Sequence, residues 1–421
     1  MLATMMSTML SGFALSIPVA VTLGLAGLLG LALFTSLPWM IFAQQLFVAL
    51  DKFPLVAVPL FILAGNIMEA GGISRRFVEV AKALVGGTRG GLAAACVITC
   101  MIFAAVSGSG VATTFAVGAT MIPALIRNGY PAPFAAALQA SAAELGVIIP
   151  PSIPMILYAV SAEVSVGDLF IAGFGPGVLI AGALIVTVLI WARLRRGAME
   201  DEVERLPLVA ALRYAGPSLL MPVIILGGIY GGVFTPTEAA AVAVVYALLI
   251  GMVVHRELRL RDLYEVARKS VRSTSSIMLI ISTAGVFSYL INRAGIPAMI
   301  GEWLVESMSS PAMFLLGINV ALFLIGMFLE TSASIIILTP ILAPVAAHFG
   351  IDPVQFGIIM VVNLALGMIT PPFGVNLFAA CQVAGLTVHR IVPPLLMFVV
   401  VVFLCLMLIT YIPAISLFLI R

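Results

Sequence analysis

Apolar residues along this chain do not recur at the spacing of a half-buried surface helix. They run on in long blocks, separated by short clusters of Arg, Lys, Asp and Glu. Charge-free blocks of about 20 apolar residues are the pattern of helices that cross a bilayer. Residues 90–126, 169–191 and 392–420 exceed that length without one charged side chain, whereas 53–68 falls slightly short. The pattern predicts nine crossings, at residues 13–33, 53–68, 134–160, 169–191, 217–234, 238–254, 273–291, 353–383 and 392–420. Two further blocks, 90–127 and 311–348, are too long for one straight span and are broken at the middle by small polar residues. They are read as re-entrant hairpins, which return to the side they entered.

Charge placement tests that reading, because a span changes sides and a hairpin does not. With the N-terminus cytoplasmic, Arg75, Arg76, Lys82, Arg89, Arg127, Arg193, Arg195, Arg196, Arg205, Arg213, Arg256, Arg259, Arg261, Arg268, Lys269, Arg272 and Arg390 all fall inside. Only Lys52, Arg293 and Arg421 fall outside. Seventeen against three, of 20 Lys and Arg in all, is the positive-inside bias of a bacterial inner-membrane protein. Reading either hairpin as a single span would invert every later loop.

Composition agrees: 62% of the 421 residues are apolar and 9% charged, with a mean hydropathy of +1.23. That leaves too few charges to cover a soluble domain. The formal net charge of +2 points neither to nucleic acid nor to a collector of acidic ligands. Cys96, Cys100, Cys381 and Cys405 lie in apolar runs with no CxxC pairing, as small core residues do. The N-terminal stretch lacks the basic region of a secretory signal, so the first span is expected to be retained.

Sliding the chain on itself by 221 residues lays Pro123 on Pro344, Gly129 on Gly350, Leu145-Gly146 on Leu366-Gly367, and Pro150-Pro151 on Pro371-Pro372. The matches concentrate on residues that shape the backbone. With the hairpins opening to opposite faces, this is an inverted repeat, the plan of a secondary transporter with a shared midplane site. The expected fold is an all-α integral membrane protein with two re-entrant helical hairpins and two Pro-Pro-broken helices. Residues 1–85 would form N-terminal scaffold helices and an interfacial arm, 86–165 the first transport repeat and 166–310 scaffold with charged connectors at 193–213 and 255–272. The second repeat would occupy 311–385 and a C-terminal span 386–421.

Candidate chemistry lies at the breaks. The first hairpin turns at Ser107-Gly108-Ser109-Gly110, followed by Thr113-Thr114, and the second at Glu330-Thr331-Ser332-Ala333-Ser334. Irregular backbone survives at membrane depth only where protein or a water-filled cavity satisfies it, and small residues there allow close approach to an ion. Ordinary Ser/Thr packing between helices is the competing explanation for either tip alone. Each hairpin is followed by paired prolines, at Gly146-Val147-Ile148-Ile149-Pro150-Pro151-Ser152 and at Gly367-Met368-Ile369-Thr370-Pro371-Pro372-Phe373-Gly374-Val375-Asn376. Paired prolines remove two backbone donors, so upstream carbonyls are freed for a cation such as Na⁺. The restarted half-helix turns its N-terminal amides toward the same place, where a carboxylate would dock. A plain proline kink explains one such site less awkwardly than two symmetric ones.

Glu144, six residues before the first Pro-Pro, is an intramembrane carboxylate and so a functional candidate. Binding a cation, carrying a proton and pairing with a helix dipole all stay open for it. Thr235-Pro236-Thr237-Glu238 is read as a capping box. His255, His348 and His389 are scattered near span ends, against a histidine metal site. No P-loop, HExxH or GxSxG occurs, against ATP hydrolysis or an embedded hydrolase. A channel would want a continuous polar path or a ring of charges, which the spans lack, and a non-transporting scaffold has no use for two symmetric hydroxyl-lined breaks.

Phe61-Ile62-Leu63-Ala64-Gly65-Asn66 with Gly71-Gly72-Ile73-Ser74-Arg75-Arg76, the Ser107-Gly108-Ser109 tip, Ile149-Pro150-Pro151-Ser152-Ile153-Pro154, Gly232-Val233-Phe234-Thr235-Pro236-Thr237-Glu238, and Leu338-Thr339-Pro340 with Thr370 to Asn376 stand in a telling order. Over nearly its whole length the chain resembles the large membrane subunit of tripartite ATP-independent periplasmic (TRAP) transporters. The resemblance implies no enzyme but an Na⁺-driven importer of organic acids, in which hairpins and broken helices move as an elevator against a scaffold. It implies no cofactor beyond Na⁺, and two protein partners: a small four-helix membrane subunit, expected as a separate chain, and a periplasmic substrate-binding protein. Carried over residue by residue, one Na⁺ site takes Ser107, Ser109 and the carbonyls from Gly146 to Ile149. The other takes Thr331, Ser332, Thr370 and Gly374. Asn376, Ser152, Thr113 and Glu144 would face substrate, although Glu144 stands where many relatives are expected to have a small or neutral residue. A stand-alone divalent-anion/Na⁺ symporter of related elevator architecture is the alternative, and it would need no binding protein.

Overall fold

The computed structural model describes residues 1–195, 205–308 and 310–420. Arg196 and Arg421, counted in the charge bias, lie outside them. All regular structure among the described residues is helical. Among the described residues eight helices are long and apolar enough to cross a bilayer: Phe53–Ala70, Gly110–Arg127, Val166–Leu194, Leu208–Tyr230, Pro236–Val254, Leu260–Arg293, Thr331–His348 and Val388–Tyr411. The pair Ala132–Ile148 and Ile153–Ala162, bent by 41°, makes a ninth if counted as one span.

Several boundaries differ from the hydropathy reading. The span expected at 13–33 is the helix Val19–Phe34, and Leu2–Ala14, a further helix that hydropathy did not single out, packs against it. Pro18 and the left-handed Ser16 (φ 58°) end Leu2–Ala14, and Gly12 lets Thr22 come against its backbone. Leu260–Arg293 is one helix of 34 residues, so the charged segment 260–272 is the polar end of a span, not a separate connector. With no Gly or Pro from 260 to 284, nothing interrupts it. Leu208–Tyr230 likewise begins inside the expected connector. Met40–Val48 and Ile296–Ser307 are helices that hydropathy did not single out. Thr235 accepts from the Glu238 backbone amide and Glu238 from that of Thr235, which is the expected capping box.

The repeat is visible in the backbone. Both expected hairpins are helix–break–helix units, Gly91–Ser107 with Gly110–Arg127 and Pro311–Gly326 with Thr331–His348, and both second arms have 18 residues with a proline inside. Gly129 and Gly350 both take left-handed φ, at 83° and 73°, and both Pro-Pro bonds are cis. Beyond them restart two helices of 10 residues, Ile153–Ala162 and Val375–Ala384. Each ends at a left-handed residue, Glu163 or Gly385.

The two repeats interlock. Ile153–Ala162 packs on the second arm of the second hairpin, and Val375–Ala384 on the second arm of the first. Tyr158 donates across the repeats to the Pro353 carbonyl at 2.7 Å, and Gly357 leaves room for the Tyr158 ring. Beside this body stands a second group of helices. Val19–Phe34 and Phe53–Ala70 pack on Leu260–Arg293, and Pro236–Leu249 on Ala57–Ala70. In a lipid-embedded bundle such close backbone approach, more than apolar burial, holds helices together. Gly326 and Gly367 are one close case: a β-carbon on Gly367 would lie within 2.6 Å of three Gly326 backbone atoms.

Candidate functional site

The first hairpin's tip is shaped by Gly108, left-handed at φ 61°, and by Ser109, whose hydroxyl caps Gly110–Arg127 by accepting from the Ala112 amide. The Thr113 hydroxyl donates to the Ser109 carbonyl at 2.8 Å and lies 3.0 Å from the Ser107 hydroxyl. Gly146 of the broken helix presses on this cluster. A β-carbon there would sit 2.6 Å from both the Ser109 carbonyl oxygen and Thr113 Oγ1. Ser107, Ser109 and Gly146 thus lie together, and Thr113, expected among the substrate-facing residues, stands in the same cluster. Gly65 of the neighbouring group of helices lies against Ser107.

Paired prolines act on specific carbonyls. Pro150 and Pro151 cannot donate to Gly146 and Val147, their partners one turn back. The Val147 carbonyl instead accepts the Ser152 hydroxyl at 2.6 Å. Ile149, in extended conformation (ψ 130°), carries the chain out of the helix. In the second repeat Met368 loses its donor at Pro372, and its carbonyl accepts the Asn376 amide at 3.0 Å. Val147 and Met368 are 221 positions apart, the repeat offset. The same deficit is repaired at the same place by different groups.

At the second tip Glu330 is the N-cap. Its carboxylate accepts from the Ser332 and Ala333 amides at 2.9 and 3.2 Å and from the Ser332 hydroxyl at 2.9 Å. Thr331 is buried with its hydroxyl unpartnered, as are Ser334 and Thr339 further along the helix. The Thr370 hydroxyl donates to the Leu366 carbonyl at 2.8 Å, and Gly374 folds close over Met368 and Thr370. Phe373 donates to the Met327 carbonyl at 3.2 Å, tying the second hairpin's turn to this loop. Among the described residues no hydrogen bond joins Thr331 or Ser332 to Thr370. Those expected partners lie on neighbouring segments without touching through hydrogen bonds.

Two buried polar side chains stand out between the repeats. Asn376 is fully buried and neither end of its carboxamide is bonded, although it lies against Gly110 of the first hairpin. Glu144 is fully buried with both oxygens unpartnered, in a turn that splits Ala132–Ala142 from Leu145–Ile148. Sequence reasoning missed Gln139. It donates to the Thr113 carbonyl at 3.3 Å and to Cys100 Sγ at 3.4 Å, and accepts from Cys96 at 3.1 Å. It therefore pins both arms of the first hairpin to the broken helix. The only hint was a long amide in an Ala-rich run. The four cysteines are buried and free, and among the described residues no His/Cys/Asp/Glu group is placed to hold a metal ion.

The described residues form a multi-pass helical bundle with two helix–break–helix units and two helices broken at Pro-Pro. The overall fold is similar to that of the solved Alcanivorax borkumensis YdaH transporter, with a TM-score of 0.64 at 16% identity over 90% of each chain. Residues 6–415 match the family described as "Tripartite ATP-independent periplasmic transporter, DctM component", and the chain belongs to that family. It is 44% identical over 396 residues to the C4-dicarboxylate TRAP transporter large permease protein DctM of Pseudomonas aeruginosa, covering 94% of this chain and 93% of that one. It is 43% identical to the isethionate TRAP transporter permease protein DctMQ of Oleidesulfovibrio alaskensis, covering 96% of this chain but 64% of that longer one. The chain is a transporter permease component and not an enzyme.

Proposed function

We propose that this chain is the transport subunit of an Na⁺-coupled importer of organic acids in a bacterial inner membrane, with its N-terminus cytoplasmic. The observation that carries the reading is the pressing of Gly146 onto Ser109 and Thr113, beside a Gly146 carbonyl that has no proline donor one turn on. Oxygens from carbonyls and hydroxyls, with few charges, suit a hard monovalent cation. Ser107, Ser109, Gly146 and Ile149 would hold one Na⁺, and Thr331, Ser332, Thr370 and Gly374 a second, with Glu330 supplying negative charge at that tip. Bound Na⁺ would couple its own gradient to uptake. Asn376, Ser152, Thr113 and Glu144 make the substrate-facing set. The Ser152 hydroxyl is already given to Val147, so it acts there by shaping the restarted helix.

The two hairpins are taken as re-entrant, and the interlocked repeats as one body moving elevator-fashion against the neighbouring helices. The Tyr158 bond across the repeats supports a single body. A cavity of about 610 Å³ between Ile281–Asn292 and residues 336–347 supports a movable boundary. The relatives' names support organic anions, C4-dicarboxylate in one and isethionate in another. The extra length of the DctMQ relative supports a small membrane partner, and the family description a periplasmic binding protein.

Uptake of a labelled organic-acid panel into proteoliposomes, with the small subunit present and binding protein and inward Na⁺ gradient each added or withheld, tests this. Uptake that needs both is expected, with Ser109→Ala raising the Na⁺ concentration for half-maximal rate. Uptake without binding protein would instead mark a stand-alone carrier.

A further inference from the structure

Where the 34-residue helix Leu260–Arg293 meets Ala57–Ala70, a cavity of about 500 Å³ is lined by Asn66, Glu69, Glu265, Arg268, Lys269 and Arg272, with Ser273 at its edge. Its three cations face two acids. Lys269 pairs with Glu69 and Arg268 with Glu265, each at 2.7 Å, which leaves Arg272 as the surplus charge. Asn66 donates to Ser270 at 2.9 Å and fastens the two helices behind the cavity.

Membrane depth follows from the sequence of the helix. Residues 273–292 carry no charge, and 20 residues at about 1.5 Å each match the hydrocarbon thickness of about 30 Å. Arg272 therefore stands at the hydrocarbon edge, with Arg268 one turn further out at the level of lipid phosphates. Arg268, Arg272, Ser276 and Leu279 follow at spacings of four, four and three, so they share one exposed face. Leu279 is 53% exposed and lies about 10 Å deeper than Arg272. A positively charged cavity at headgroup level, with Ser276 and then the exposed Leu279 deeper on the same face, matches the headgroup and acyl chain of a phospholipid, and basic pockets between helices at the membrane surface take anionic headgroups.

We propose that this cavity is a binding site for an anionic phospholipid, whose phosphate is held by Arg268 and Arg272 and whose acyl chain lies along Leu279. The proposal rests on the helix crossing the membrane and is independent of sodium coupling or substrate. It is tested on the purified full chain in phosphatidylcholine–detergent micelles, titrated with phosphatidylglycerol and read by native mass spectrometry. Wild type is expected to bind phosphatidylglycerol in preference to phosphatidylcholine. The double variant Arg268→Gln/Arg272→Gln should weaken that binding roughly 25-fold, about fivefold per arginine beside a charged headgroup. Both side chains are exposed, so folding is not at stake. Arg261→Gln, outside the cavity and paired with Asp262, should change nothing. Equal phosphatidylglycerol binding by the double variant would overturn the proposal. So would displacement of the lipid by soluble glycerol phosphate, which would mark a free-anion pocket instead.

Discussion

The carboxamide of Asn376 rests on the α-carbon of Gly110, so that a β-carbon on Gly110 would fall 2.7 Å from Asn376 Nδ2. The contact joins the restarted helix of the second repeat to the hairpin of the first. Ala143, the neighbour of Glu144, presents its carbonyl 3.2 Å from the same point. Gly110 is therefore where both repeats and the Glu144 turn converge.

An unbonded buried carboxamide is a stability liability of about 1–3 kcal/mol. Asn376→Leu keeps the volume and removes both orphaned atoms, so the thermal unfolding midpoint should hold or rise. If the amide serves substrate, labelled uptake should fall at least about tenfold, the cost of losing one buried polar contact. A lower midpoint with uptake intact would assign Asn376 to structure alone.

Gly367→Ala should be among the most damaging small substitutions in the chain. Its β-carbon would enter the Gly326 backbone, and overpacking of this kind costs about 1–3 kcal/mol. Gly182 has no atom within 4 Å of the same construction, so Gly182→Ala should be neutral or gain up to about 1 kcal/mol from helix propensity. Thermal unfolding of the two variants side by side separates packing from propensity. Equal midpoints would mean the contact yields at no cost.

Gln139→Leu should loosen the first hairpin. Losing its bonds to Thr113, Cys96 and Cys100 leaves the Thr113 carbonyl without its side-chain partner, at about 1–2 kcal/mol. Because Thr113 also holds the Ser109 carbonyl, the Na⁺ dependence that the proposed coupling requires should shift along with stability. Destabilisation with the Na⁺ dependence unmoved would disconnect Gln139 from the tip.

What could be read in advance was what a few adjacent residues decide. Pro150-Pro151 and Pro371-Pro372 break helices by removing donors, Gly108 permits the tip, and Thr235 with Glu238 caps a helix; each acts within a turn of itself. Gln139 could not be read in that way, because its partner Cys96 is 43 residues distant. Nor could the buried Asn319–Asn363 bond of 2.7 Å, which ties the second hairpin to its broken helix across 44 residues. Hydropathy also failed wherever length and polarity disagreed. It began the first span at residue 13 and so passed over Leu2–Ala14, because Pro18 interrupts no apolar run, and it cut Leu260–Arg293 because charge begins where helix does not end. Glu330 was visible as a residue but not as a cap, since capping depends on the backbone of the tip.

A charged cluster near the end of Pro236–Val254 sets a pH dependence. Arg76, with its side chain 8% exposed, bonds Glu257 at 2.7 Å and the Gly72 carbonyl at 3.0 Å. Gly72 is left-handed at φ 70°, and a β-carbon there would collide with the Glu257 carboxylate. His255 sits beside this pair, and burial, then the Arg76 charge, hold its pKa below the ordinary histidine value, with Glu257 opposing in part. The folded chain thus binds fewer protons than the unfolded one as pH falls below about 6.5. Stability should be flat above about pH 7.5, where His255 is neutral in both states, and should decline from about pH 6.5 downward. His255→Gln should flatten that decline when unfolding midpoints are compared at pH 7.5 and 5.5. Glu257→Gln should steepen it, by removing the one acid that favours the imidazolium. At neutral pH the same change leaves Arg76 buried without its carboxylate, at roughly 2 kcal/mol, between an exposed and a fully buried pair because Glu257 is 38% exposed. An unchanged slope in both variants would remove the cluster as the source of the pH dependence.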